Sequence, residues 1–184
     1  ELMGAELKEN VTSILGELNN KRPNTAGAFL WNATQCLEDG GVIGCVLPTS
    51  IFENETYIPL REEIKKIVDV KIVGRLGSHT LFSETLVDTA IFLGVAKKEK
   101  SQVPIVFWSD YKTESASTSL RELRKISSRK IVEEVNEKGY SLYRNEKLIR
   151  SESWMPIPHK SFVLLERFKT FTKVEDIFDV RQGV

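Results

Sequence analysis

The sequence predicts a layered α/β fold, on three observations. Helix-like and strand-like apolar patterns alternate along the first half of the chain. The stretch Val42 to Leu47 (VIGCVL) is continuously apolar and partly β-branched, the composition of a strand buried on both faces of a parallel sheet. The link Gly74 to Thr85 is too short for a full crossover helix, since a parallel connection takes about a dozen residues or more. The strand that follows this link is therefore expected to run antiparallel to the strand before it.

Residues 5 to 18 read as a helix, with Leu7, Val11, Ile14, Leu15 and Leu18 at helical spacing. After a turn at Asn19 to Asn24, a second helix is expected from Thr25 to Glu38, with Phe29, Leu30, Ala33 and Leu37 on one face. Asp39-Gly40-Gly41 ends it, because glycine accepts the left-handed conformation where a helix must stop. Val42 to Leu47 is the first strand, closed by Pro48-Thr49-Ser50. A helix over residues 55 to 67 carries Ile58, Leu60, Ile64 and Ile67. Val68 to Val73 is the second strand and Leu86 to Ala96 the third.

Val103 to Trp108 reads as one more strand. Residues 119 to 138 read as helical, with Leu120, Leu123, Ile131, Val132 and Val135 as the apolar stripe and Gly139 as the stop. Tyr140 to Ile149 resembles a hairpin around Asn145-Glu146, and a short helix is expected over residues 161 to 171. A boundary near residue 100 divides the chain into residues 1–100 and a mixed α+β remainder, 101–184.

The 184 residues suffice for a real hydrophobic core. Lys+Arg 26 balances Asp+Glu 26, so the net charge is zero. A free-standing nucleic-acid binder usually shows a basic excess, although a piece of a larger binder need not. Cys36 and Cys45 are expected to be reduced, buried thiols in a cytoplasmic protein. No apolar run approaches the length of a membrane span. The ends, Glu1-Leu2 and Gly183-Val184, read as cut edges of a longer protein.

The segment Ala26 to Lys98 carries a resemblance. Its core is DGGVIGCVLPTSIF, followed by LREEIKKIVDVKIVGRLGSHTLFSETLVDTAIFLGVAKK. It resembles the latter half of the catalytic domain of adenine-N6 DNA methyltransferases from restriction–modification systems, in the style of type I modification subunits and type IIG enzymes. The matching residues are Gly40, Gly41, Leu47, Pro48, Leu60, Arg61, Phe82, Val87, Asp88, Thr89, Ala90 and Ile91. A weaker echo at Trp154 and at Ile177 to Val184 resembles the entry into a target-recognition domain. The resemblance implies the C-terminal half of a Rossmann-like, S-adenosylmethionine-dependent methyltransferase fold, with the third strand lying between the first two and antiparallel to both. The family's acidic, glycine-rich cofactor loop and its Asn/Asp-Pro-Pro-aromatic motif find no match here; in the family both lie upstream. The chain alone is therefore expected to lack a complete S-adenosylmethionine site and a catalytic Asn or Asp.

One residue stands out as a candidate site residue. An enzyme that modifies a base holds it outside the duplex, commonly against an aromatic ring. The resemblance puts that ring in the loop before the closing strand, where Phe82 stands; the plain alternative is a core phenylalanine. Gly40-Gly41 and Pro48-Thr49-Ser50 read as a helix stop and a capped turn. Asp88 and Thr89 read as satisfying local backbone groups. His79 and His159 lie far apart in sequence with no ligand spacing, so a metal site is not expected. Arg121, Arg124, Lys125, Arg129 and Lys130 alternate with Glu122, Glu133 and Glu134, which reads as a solvated mixed-charge face.

What the resemblance implies for the parent protein is methyl transfer from S-adenosylmethionine to adenine N6 in a specific DNA sequence. Its partners would be double-stranded DNA and restriction or specificity subunits, with no membrane. Two other readings share the motifs: a methyltransferase-like domain acting on RNA or protein, and a non-catalytic, structural or DNA-positioning subunit.

Overall fold

The computed structural model describes residues 4–19, 24–76, 87–96, 103–110, 117–118, 120–122, 124–125, 134–150 and 152–179. Helix α1 (Ala5–Leu15) continues into a 3-10 turn at Gly16–Asn19. Helix α2 (Thr25–Gln35) begins at Asn24, whose side chain accepts the Ala26 N–H at 2.7 Å. It ends earlier than expected, with Cys36 as its C-cap. Its buried face is Gly27, Leu30 and Thr34, while Phe29 is 65% exposed. The reason is a close approach at Gly27. A Cβ there would meet the Tyr57 ring at 2.9 Å, so the helix seats on its glycine and turns Phe29 outward.

Strand β1 (Val42–Pro48) leads through the short helix α3 (Ser50–Glu53) and a 3-10 turn at Glu55–Tyr57 to helix α4 (Ile58–Ile67). Strands β2 (Val68–Arg75) and β3 (Thr89–Ala96) follow, then β4 (Ile105–Ser109). The described residues form a six-stranded sheet in the order β1-β3-β2-β4-β6-β5, where β5 is Val135–Glu137 and β6 is Tyr140–Arg144. β3 is antiparallel to both β1 and β2, and β4 is parallel to β2. The expected placement of the third strand between the first two is what the structure shows. Helix α5 (Glu146–Arg150) and helix α6 (His159–Phe168) complete the elements.

Three expectations are corrected. β1 is neither in a parallel pair nor buried on both faces. Among the described residues it pairs with β3 alone and buries Ile43 and Leu47, while Val42 is 66% and Val46 57% exposed. A continuous apolar run cannot by itself tell an edge strand from a central one. The helix expected up to residue 138 gives way to β5, and Gly139 is a hairpin turn residue instead of a helix stop. At φ 97° it lets Lys138-Gly139 fold Glu137 back onto Tyr140. The hairpin expected around Asn145-Glu146 is instead the start of α5, where the Asn145 side chain accepts the Lys147 N–H at 2.9 Å.

Side chains alternate across the sheet, and two cores result. Val106 and Tyr143 point to the larger one with α1, α2, α4 and Trp154, while their neighbours Phe107 and Leu142 join Leu76 and Tyr140 on the opposite face. The sheet runs without a break past residue 100, since β4 pairs with β2.

Candidate functional site

The strand directions define one end of the sheet. β1 and β2 each run antiparallel to β3, so they are parallel to one another, and β4 follows β2. The carboxyl ends of β1 and β2, at Pro48 and Arg75, lie beside the start of β3 at Thr89, and that of β4, at Ser109, lies beside Arg75. In open α/β sheets ligands bind beyond the carboxyl ends of the strands. The segment that holds Phe82 and His79 connects β2 to β3 at this same end. Both residues lie outside the described residues.

Asp88 ties this end together. Its backbone carbonyl accepts the Thr49 N–H at 3.0 Å, linking the end of β1 to the start of β3. Its carboxylate takes Arg75 Nη2 at 2.6 Å, linking the end of β2 as well. The two side chains keep only 19% and 22% exposure. Leu76 N–H donates to the Thr89 carbonyl at 3.0 Å, and the Ser109 hydroxyl lies 3.5 Å from the Arg75 carbonyl. The backbone part of this matches the reading of Asp88 and Thr89 as partners of local backbone groups. The ion pair was not legible in the sequence, because it depends on the register of β2 against β3. Thr49 makes no side-chain cap to α3; its carbonyl accepts the N–H groups of Phe52 and Glu53. The Pro48-Thr49-Ser50 turn is thus plainer than expected.

Arg61, one of the residues carrying the resemblance, is a buried clamp. It is 1% exposed, and its Nη1 donates to the carbonyls of Ile51 at 2.7 Å and Asn54 at 3.0 Å. Its Nη2 donates to the Glu152 carbonyl, so α4 is fastened both to α3 and to a residue far along the chain. Burial draws its pKa down to about 10, against the neighbouring charges of Glu62 and Glu152. Trp154 is fully buried, its ring stacked at 6.3 Å on both Phe52 and Phe92, and its backbone N–H donates to the Phe52 carbonyl at 2.9 Å. The aromatic of the weaker echo is therefore a core residue.

The remaining candidates have plain roles. Arg121 and Lys125 are exposed on a helical stretch, and Lys125 pairs with Glu122 at 2.5 Å, as on a solvated face. Arg129 and Lys130 lie outside the described residues. His159 packs on Tyr143, with ring centroids 4.7 Å apart, and its Nδ1 lies 2.9 Å from Asn136. Among the described residues no group of three His, Cys, Asp or Glu side chains could hold a metal ion. Both cysteines are free. Cys45 is half-buried, and burial pushes its thiol pKa up. Cys36 is exposed, contrary to expectation, because α2 stops at it and turns it out of the core. No helix among the described residues is long and apolar enough to cross a membrane.

No protein-family model matches the chain, and no curated protein matches it. Solved structures do. The type IIG restriction endonuclease BpuSI is similar over 88% of this chain and 19% of its own, with a TM-score of 0.55 and 18% identity. The methyltransferase subunit of a type I restriction-modification system from Streptococcus thermophilus is similar over 80% of this chain and 32% of its own, with a TM-score of 0.50 and 19% identity. A Listeria monocytogenes protein described as a class I S-adenosylmethionine-dependent methyltransferase is similar over 66% of this chain and 38% of its own, with a TM-score of 0.50 and 16% identity. The chain thus spans well under half the length of each. Its fold is the α/β, Rossmann-like fold of S-adenosylmethionine-dependent methyltransferases. Its structural neighbours thus include a type IIG restriction endonuclease, a type I restriction–modification methyltransferase subunit and an S-adenosylmethionine-dependent methyltransferase.

Proposed function

We propose that this chain is the C-terminal half of the catalytic domain of an adenine-N6 DNA methyltransferase from a restriction–modification system. Residues 1–100 belong to that half and residues 101–184 connect it to a target-recognition domain. The observation that carries the reading is β3, inserted antiparallel between two parallel strands, with the VDTAI motif at its start and the Phe82 segment leading into it. The edge of β1, unpaired among the described residues, and its exposed Val42 and Val46 fit the same reading, since an apolar edge strand is normally paired or covered.

In the parent protein, S-adenosylmethionine supplies the methyl group and an upstream Asn or Asp motif engages the adenine amine. This chain contributes Phe82, which stacks on the extruded base, and the strand ends that bound the site. Double-stranded DNA is the substrate, and restriction or specificity subunits are partners in the cytoplasm. The isolated chain, without the upstream elements, does not bind S-adenosylmethionine with useful affinity.

The test is to supply the full-length protein with methyl-labelled S-adenosylmethionine and, separately, unmethylated genomic DNA, total RNA and a cell protein extract. Label is expected in DNA. Label in RNA or protein would move the protein to another acceptor class. Cofactor binding without transfer to any acceptor would favour a non-catalytic, DNA-positioning subunit.

A further inference from the structure

We propose that the Arg75–Asp88 ion pair is a positioning device for the methyl-transfer site, acting through the strand ends it joins. The inference rests on the methyltransferase reading above. Arg75 is the last residue of β2, and Asp88 directly precedes β3. Leu76 to Asp88, with Phe82 among them, are the whole connection between these two strands. The pair sits at the root of that connection, 2.6 Å between Arg75 Nη2 and Asp88 Oδ2. Leu76 N–H to the Thr89 carbonyl, at 3.0 Å, closes the same root through the backbone.

The pair does more than close a loop. The Asp88 carbonyl also holds the Thr49 N–H, and the Arg75 carbonyl faces the Ser109 hydroxyl. One residue pair thereby contacts the carboxyl ends of β1, β2 and β4, the three strand ends that bound the candidate site. At about one-fifth exposure, the ion pair is shielded more than a surface pair, so it holds geometry against solvent competition. Reaction rates respond steeply to such geometry, because a misplacement of about 1 Å can cost about a hundredfold. Arg75 and Asp88 touch no reacting atom in this reading. They set where the roots of the connection stand.

A purely stabilising pair and a positioning pair differ in what they move. Asp88→Asn keeps the shape and the backbone carbonyl but removes the charge; Arg75→Met removes it from the other side, and Arg75→Lys keeps it on a shorter stem. The three variants are made in the full-length protein and assayed with labelled S-adenosylmethionine and unmethylated genomic DNA. Melting temperature is recorded for each.

The positioning role predicts kcat about tenfold or more lower for Asp88→Asn and Arg75→Met. KM for DNA should stay within about threefold and the melting temperature within about 4 °C. Arg75→Lys should recover part of kcat. Unchanged kcat per folded molecule in both charge-removing variants would overturn the proposal, as would a fall explained entirely by unfolding. If a charge-removing variant does not fold, the Arg75→Lys protein decides: wild-type kcat at wild-type melting temperature would count against positioning. A wild-type protein that methylates no DNA would instead overturn the methyltransferase reading.

Discussion

Base–aromatic stacking is worth about 1–3 kcal/mol, and this sets what Phe82 can contribute as a stacking residue. Phe82→Ala in the full-length protein should lower methyl transfer roughly tenfold to a hundredfold, while Phe82→Trp keeps much of it. The melting temperature should fall less than for a core phenylalanine, whose truncation costs about 3–5 kcal/mol. A variant that melts far lower yet methylates normally per folded molecule would make Phe82 a core residue. Single residues show how unevenly sequence reports function. Gly40 was legible as a left-handed position and has φ 73°, but it belongs to the turn before β1 and does not stop α2, which ends at Gln35. Arg61 was legible only as part of a motif, although it fastens three carbonyls in the core. Its role depends on Glu152, ninety-one positions away. Local periodicity carries no trace of such a partner.

Elements were legible where their own side chains decide the outcome. α1, α4, β2 and β3 follow from apolar spacing, and the antiparallel β3 was expected from the resemblance together with a link that leaves little room for a crossover helix. β5 was not legible, because Val135 continues the helical spacing of Ile131 and Val132 and pairs with β6 only through the turn at Gly139. Here tertiary pairing overrides local preference. β6 in turn anchors the segment ahead of α6: the Tyr143 hydroxyl donates to the Ile157 carbonyl at 2.8 Å. Burial pushes the Tyr143 pKa well above its ordinary value near 10, and Tyr140 is pushed the same way. Above that ordinary value the unfolded chain releases the phenol proton while the folded chain keeps it. The folded state then binds more protons, so stability present below pH 10 is lost as pH rises. Tyr143→Phe should cost about 0.5–1.5 kcal/mol at pH 7 through the lost hydrogen bond, and should flatten the decline above pH 10. Urea unfolding at pH 7, 9, 10 and 11 measures both. An alkaline decline identical to wild type would remove Tyr143 from this account.

At the scale of the whole molecule, the described surface carries a run of exposed apolar side chains near the C-terminal end. α6 buries none of its residues, and Leu164, Leu165 and Phe168 are about half exposed. Phe171, Val174, Ile177 and Phe178 follow with more than 60% exposure each. Exposed apolar surface of this extent usually meets a partner surface. Among the described residues β1 also has an unpaired edge, so the proposal that this chain is part of a larger methyltransferase predicts a partner surface there too. The fold class was legible from the alternation of elements and the position of β3. The exposed α6 was not, because an amphipathic stripe reads the same whether or not its own chain covers it.

The central claim concerns the atom that receives the methyl group. The most direct measurement is nucleoside mass spectrometry of DNA from cells that express the full-length protein as their only DNA methyltransferase. The account predicts N6-methyladenine, absent from control cells without the gene. Methylated cytosine in its place, or DNA free of methylated bases despite a folded protein that binds S-adenosylmethionine, would contradict it.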